Sequence, residues 1–165
     1  TRTSNVARSG YAQGKPGPGK TLTVHVGRTD MNFTIVCDGG SLGNNVKGGG
    51  EGYGSFVILP DVMPNRFTQH FGPKITNNEA EYMILTTTLD YLKSVLYGQG
   101  VSLMSVDVEV QTDSQLIVGH LTKNWKISAK NLLPHVVRAQ SLIREFKNVT
   151  FTQTPRAKIV QVLGH

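Results

Sequence analysis

Three carboxylates in this chain stand where they could share a divalent cation. Asp38 closes the β-branched, apolar run Phe33-Thr34-Ile35-Val36-Cys37, Glu81 lies in the first turns of a helical pattern, and Asp113 follows the alternating run Val106–Gln111. Carboxylates at strand ends can converge on one edge of an α/β sheet, where ligands usually bind. Three converging carboxylates repel one another and are stable mainly when divalent cations neutralise them, and hard oxygen donors favour Mg²⁺ or Mn²⁺ over zinc. An Asp at a strand end, taken singly, is more often a turn or cap residue. Glu79 has such a local task, because Thr76-Asn77-Asn78-Glu79 spells a capping box whose glutamate turns back onto the helix N-terminus. Glu81 has none. It is two residues further on and points to a different helix face, which makes it the ligand candidate.

The elements that must position these groups can be read from periodicity. Phe33–Cys37 is a buried strand expected to end at Asp38, with a glycine-rich turn from Gly39 to Gly50 after it. Tyr53–Leu59 and Arg66–Phe71 read as two further strands. Tyr82, Leu85, Leu89, Leu92 and Leu96 recur at helical spacing across Thr76–Leu96, closed by Gly98 and Gly100. Val106–Gln111 is a fourth strand and Ser114–Leu121 a short helix. Leu132, Val136, Ala139, Ile143 and Phe146 mark a second long helix, with Pro134 tolerable in its first turn. Val149–Gln153 is a fifth strand, and Pro155 opens a final helix. This order predicts an α/β fold, a five-stranded mixed sheet with helices on its faces.

Composition narrows the function classes. With 165 residues, 38% hydrophobic and 17% charged, the chain suits one globular domain, and no apolar run approaches the ~20 residues of a membrane span. A single cysteine, Cys37, excludes an intramolecular disulfide framework and any CxxC site, and permits a reducing compartment; a cytoplasmic location is expected. The net charge of +6 is unevenly spread. Residues 1–30 hold five basic side chains against one acidic, residues 31–113 four against nine, and residues 114–165 eight against one. Carboxylates in one half and lysines in the other suggest metal on one side and phosphate on the other. Residues 1–30 are rich in Gly, Pro, Ser, Thr and basic side chains, and are expected to be a disordered extension preceding a domain at 31–165. Gly14-Lys15-Pro16-Gly17-Pro18-Gly19-Lys20-Thr21 matches the nucleotide-binding GxxxxGK[ST] pattern literally. Two prolines remove N–H donors that such a loop needs, and the flanking residues supply neither its strand nor its helix. No nucleotide cofactor is expected.

Asp38-Gly39-Gly40-Ser41, Thr76-Asn77-Asn78-Glu79-Ala80-Glu81-Tyr82 and Thr112-Asp113-Ser114-Gln115 occur in the order and on the elements of the three main motifs of type 1 ribonuclease H, which the chain resembles over about residues 31–156. The resemblance implies a ribonuclease H-like fold and an endonuclease that cuts the RNA strand of an RNA–DNA hybrid to leave 5′-phosphates. It implies two Mg²⁺ or Mn²⁺ ions, Asp38 between them, with Glu81 and Asp113 on the leaving-group side. Gly39, Gly40, Asn77, Asn78, Ser114 and Gln115 would meet the minor groove, where 2′-hydroxyls distinguish RNA from DNA. Lys123, Trp125 and Lys126 would contact the DNA strand, with Trp125 on a sugar and the lysines on phosphates; a core tryptophan is the other reading of Trp125. The expected partner is a hybrid duplex, bound by a monomer without membrane attachment. An impaired hybrid-binding relative and a DNA-junction nuclease on the same fold are the competing readings.

The resemblance ends near the C-terminus. The family supplies a fourth carboxylate from its last helix, yet no acidic residue follows Glu145, and Leu163 falls at the matching position. His165, beyond flexible Gly164, is expected to assist the metal on the nucleophile side through its imidazole or terminal carboxylate, with a preference for Mn²⁺.

Overall fold

The structure is a computed structural model that describes residues 30–43, 47–60, 62 and 66–164. The extension at 1–30, except Asp30, lies outside the described residues, as do the nucleotide-loop look-alike within it and His165. Three antiparallel strands come first: β1 (Met31–Leu42), β2 (Gly50–Leu59) and β3 (Phe67–Ile75). Helix α1 (Asn77–Gly98) then crosses to β4 (Val106–Thr112), which lies parallel to β1. Helices α2 (Gln115–Thr122) and α3 (Leu133–Ile143) lead to β5 (Asn148–Gln153), parallel to β4, and α4 (Arg156–Leu163) follows. The sheet order is β3-β2-β1-β4-β5, the expected mixed five-stranded sheet.

Alternation along β1 sends its residues to two cores. Phe33, Ile35 and Cys37 join Phe56, Ile58, Val108 and Val110 against Tyr82, Leu85, Leu89, Leu92 and Leu96 of α1, with Val136 and Ala139 of α3 behind. Val36 faces the opposite side and packs with Ile159 and Leu163 of α4 and with Val57. Helices therefore cover both faces of the sheet.

Several boundaries differ from the periodicity, and β2 starts at Gly50, ahead of the expected Tyr53. β1 does not end at Asp38 but continues through Gly39, Gly40 and Ser41 to Leu42, pairing with β2 from Thr34↔Leu59 to Leu42↔Glu51. Glycines here read as a turn, but they are strand residues selected by close approach. A Cβ on Gly39 would lie 2.5 Å from the Ala80 carbonyl carbon and 2.6 Å from the Glu81 nitrogen, so α1 can rest on β1 only where no side chain intervenes. β3 likewise continues to Ile75 beyond an irregularity in its pairing with β2 between Gly50 and Tyr53, and Lys74 takes a positive φ of 60°. The second long helix is shorter than its apolar spacing suggests. A 3₁₀ turn at Lys130–Leu132 precedes α3, Pro134 occupies its first turn, and Phe146 is buried beyond its end.

Candidate active site

Register brings the first two carboxylates together. Val36 of β1 pairs with Gln111 of β4, so Asp38 and Asp113, each two residues further along parallel chains, reach the same level. Glu81 arrives from α1, held against β1 by the Gly39–Ala80 contact. A carboxylate oxygen from each of Asp38, Glu81 and Asp113 lies within 4.8 Å of the others. Asp38 is buried, with only 4% of its side chain exposed, and Glu81 and Asp113 are half-buried. The three oxygen donors suit a hard divalent cation, which is the chemistry expected of them.

Burial is the main influence on Glu81, pushing its pKa up to about 7. A Ser114 hydrogen bond works against the shift, the charges of Asp113 and Asp38 add to it, and Arg156 opposes it. Ser114 is also the N-cap of α2, accepting from the Ile117 N–H at 3.3 Å, so this buried serine ties the start of α2 to the cluster. Behind it, His120 of α2 accepts a hydrogen bond at Nδ1 from the Tyr82 hydroxyl at 2.8 Å, if the ring carries its proton on Nε2. Burial lowers the His120 pKa, which favours that neutral ring. Cys37, beneath the site, is buried and its thiol is pushed well above the ordinary range by burial and then by the three carboxylates.

Glu79 and Glu81 part company as the helical spacing requires. Glu79 closes the capping box, accepting from the Thr76 N–H at 3.2 Å while Thr76 Oγ1 accepts from the Glu79 N–H at 3.2 Å. It also faces His135 of α3 at 3.4 Å, and Thr76 and Asn131 hydrogen bonds hold its pKa down against burial, the largest influence. Glu79 is a structural anchor, and Glu81 alone joins the cluster.

The expected substrate residues fall into two groups around it. Asn77, Asn78 and Gln115 are exposed at the starts of α1 and α2. Asn77 Oδ1 also accepts the Ser41 N–H at 2.6 Å and so fixes the end of β1. Gly40, by contrast, is buried: a Cβ there would lie 2.7 Å from the Tyr53 hydroxyl oxygen, so its missing side chain makes room for that ring. An open cleft of about 450 Å³, lined by Thr76, Asn77, Asn78, Ala129, Asn131 and Leu132, runs from the α1 start toward α3. Trp125 is not a core residue. It is 46% exposed, lies against Gly119, where a Cβ would meet its ring, and has Lys123 Nζ 5.8 Å from the ring centroid. Lys126 is exposed next to it.

The acid-centred reading of the sequence missed Arg156. Its Nη1 donates to Asp38 Oδ2 at 2.6 Å and to Asp113 Oδ2 at 3.3 Å, placing a guanidinium directly on the cluster. The available signal was negative: a last helix without an acid that begins with an arginine. Leu163, expected from the resemblance to match the family's fourth carboxylate, is only 2% exposed and sits in the small core with Val36 and Ile159.

No family model matches the chain. The bifunctional protein Rv2228c of Mycobacterium tuberculosis is 34% identical over 130 residues, 78% of this chain but 32% of that protein, so the chain spans about a third of this relative's length. The solved N-terminal RNase H domain of Rv2228c superimposes with a TM-score of 0.63 at 28% identity, covering 80% of this chain and 93% of that one. RNase H1 from the archaeon Halobacterium salinarum gives 0.64 at 27% identity over 80% and 92%. LC11-RNase H1, isolated from compost by a metagenomic approach and solved with an RNA/DNA hybrid, gives 0.66 at 25% identity over 79% and 90%. With the sheet order, the three motifs and the carboxylate geometry in agreement with these likenesses, the chain belongs to the type 1 ribonuclease H family.

Proposed function

We propose that the protein is a metal-dependent endoribonuclease that cleaves the RNA strand of RNA–DNA hybrids. The observation that carries this reading is the convergence of Asp38, Glu81 and Asp113 within 4.8 Å beside the exposed Asn77, Asn78 and Gln115. The chemistry that a pair of Mg²⁺ or Mn²⁺ ions supplies at such a cluster is activation of water and stabilisation of the leaving 3′ oxygen. Asp38, Glu81 and Asp113 would hold the ions. The amides of Asn77, Asn78 and Gln115 offer both donors and acceptors to 2′-hydroxyls, which is the contact that separates RNA from DNA. Lys123 and Lys126 would take phosphates of the DNA strand, with the half-exposed face of Trp125 against a sugar. The likeness to an RNase H1 solved with a hybrid supports the same substrate class here. The buried, unpaired Cys37 fits a reducing cytoplasm, and no helix among the described residues is long and apolar enough to cross a membrane.

Labelled RNA–DNA, RNA–RNA and DNA–DNA duplexes, each incubated with Mg²⁺ or Mn²⁺, test the assignment. Cleavage confined to the RNA of the hybrid is expected. Equal cutting of the DNA duplex overturns the substrate class, and binding of the hybrid without any cleavage overturns the enzymatic reading.

A further inference from the structure

We propose that Arg156 is a resident counter-cation of the carboxylate cluster, which a divalent ion must displace from Asp38 and Asp113 in order to bind. The proposal rests on the reading of that cluster as the metal centre and concerns what controls its occupancy.

The root of Arg156 is fixed while its tip is free to move. The Thr154 N–H donates to the Thr112 carbonyl at 2.8 Å, pinning the chain beside Asp113, and Pro155 then starts α4 with Arg156 as its first residue. The other end of α4 is held by buried Leu163 and by Arg66, whose Nη1 donates to the Leu163 carbonyl at 2.6 Å. The Arg156 side chain, in contrast, is 55% exposed, so its guanidinium can swing into solvent without unpacking the helix. It now spans two of the three carboxylates, using Oδ2 of each aspartate, the type of atom that a metal would need.

Charge makes the competition direct. In its fully ionised form the cluster carries −3, and the guanidinium offsets one of the negative charges that would draw a divalent ion. Among the described residues α4 holds no acid, and the side chain it brings to the cluster is the cationic Arg156. An arginine in this place holds the carboxylates together, and for the same reason it opposes metal entry.

The experiment is calorimetric titration of the metal-free protein with Mn²⁺, without substrate, for the parent and for Arg156→Gln, Arg156→Lys and Arg144→Gln. Melting curves in chelator establish that folded proteins are compared. Arg156→Gln is expected to bind Mn²⁺ roughly fivefold more tightly, the worth of a partly exposed ion pair, and Arg156→Lys to fall between it and the parent. Arg144→Gln, which removes an exposed cation at the end of α3, should leave the affinity unchanged. Equal or weaker binding by Arg156→Gln overturns the proposal, as does an equal gain in Arg144→Gln, which would make the effect one of net charge. Absence of Mn²⁺ binding in every protein defeats both the proposal and the metal-centre reading, a result distinct from equal binding.

Discussion

Glu81 should make the metal-free protein less stable as pH rises. Its carboxyl titrates near an ordinary 4.5 in the unfolded chain and is raised to about 7 in the folded one, chiefly by burial. The folded state thus holds a proton that the unfolded state has released, and stability falls with pH between these two values. Below 4.5 both states are protonated and Glu81 contributes nothing. At pH 5 the penalty is about 1 kcal/mol, and by pH 8 it approaches about 3 kcal/mol, the full shift at ~1.4 kcal/mol per unit. Glu81→Gln removes the titrating group, so in chelator the variant should be comparable with the parent at pH 5 and more stable at pH 8 by about 2 kcal/mol relative to that comparison. Urea unfolding followed by circular dichroism at both pH values measures this directly. With Mn²⁺ added at pH 8, the parent should recover stability and the variant should recover less, because one of three ligands is lost. A stability difference that is the same at pH 5 and pH 8 would refute the reasoning, since it would mean that Glu81 is not held protonated by its surroundings.

The same proton should govern catalysis: at subsaturating metal, hybrid cleavage should rise as pH passes about 7, and excess Mn²⁺ should move the midpoint to lower pH. Asp38→Asn should nearly abolish cleavage with little loss of melting temperature, and retained activity would remove Asp38 from the metal site. Glu79→Gln should keep most of the activity at a stability cost of about 1 kcal/mol for the weakened cap, whereas Glu81→Gln should be inactive; the reverse ranking would exchange their roles. Gly39→Ala should be severe in both respects. Its new methyl would meet the Ala80 carbonyl carbon at 2.5 Å and force α1, with Glu81, away from Asp38, so normal Mn²⁺ affinity in that variant would disprove the close-approach argument.

The carboxylate cluster was legible in the sequence because its parts depend on local chemistry. Thr76 and Glu79 announce the start of α1, and that start fixes which face Glu81 must occupy. Gly39 and Gly40 misled the strand reading because glycine suits a turn as well as a crowded strand. What distinguishes the two here is the backbone of α1 over Gly39 and the Tyr53 ring over Gly40, contacts between segments about 40 and 13 positions apart. Trp125 was ambiguous for a similar reason: its exposure depends on how it lies across Gly119. Arg156 could not be read at all from local pattern, since it meets Asp38 from 118 positions away.

The burial of Leu163 bears on any attempt to add a fourth acid to the cluster from α4. Leu163→Asp is the obvious repair by alignment, yet that side chain is among the anchors of α4 on the sheet, seated with Val36 and Ile159. A carboxylate there would either be ionised in an apolar seat or pull the helix off its face, and it would loosen the peptide that Arg66 clamps. Restoring a ligand would therefore displace the element meant to carry it. An engineer would do better to graft the acid onto the solvent side of the cluster and leave the leucine as the bolt that keeps the last helix aligned.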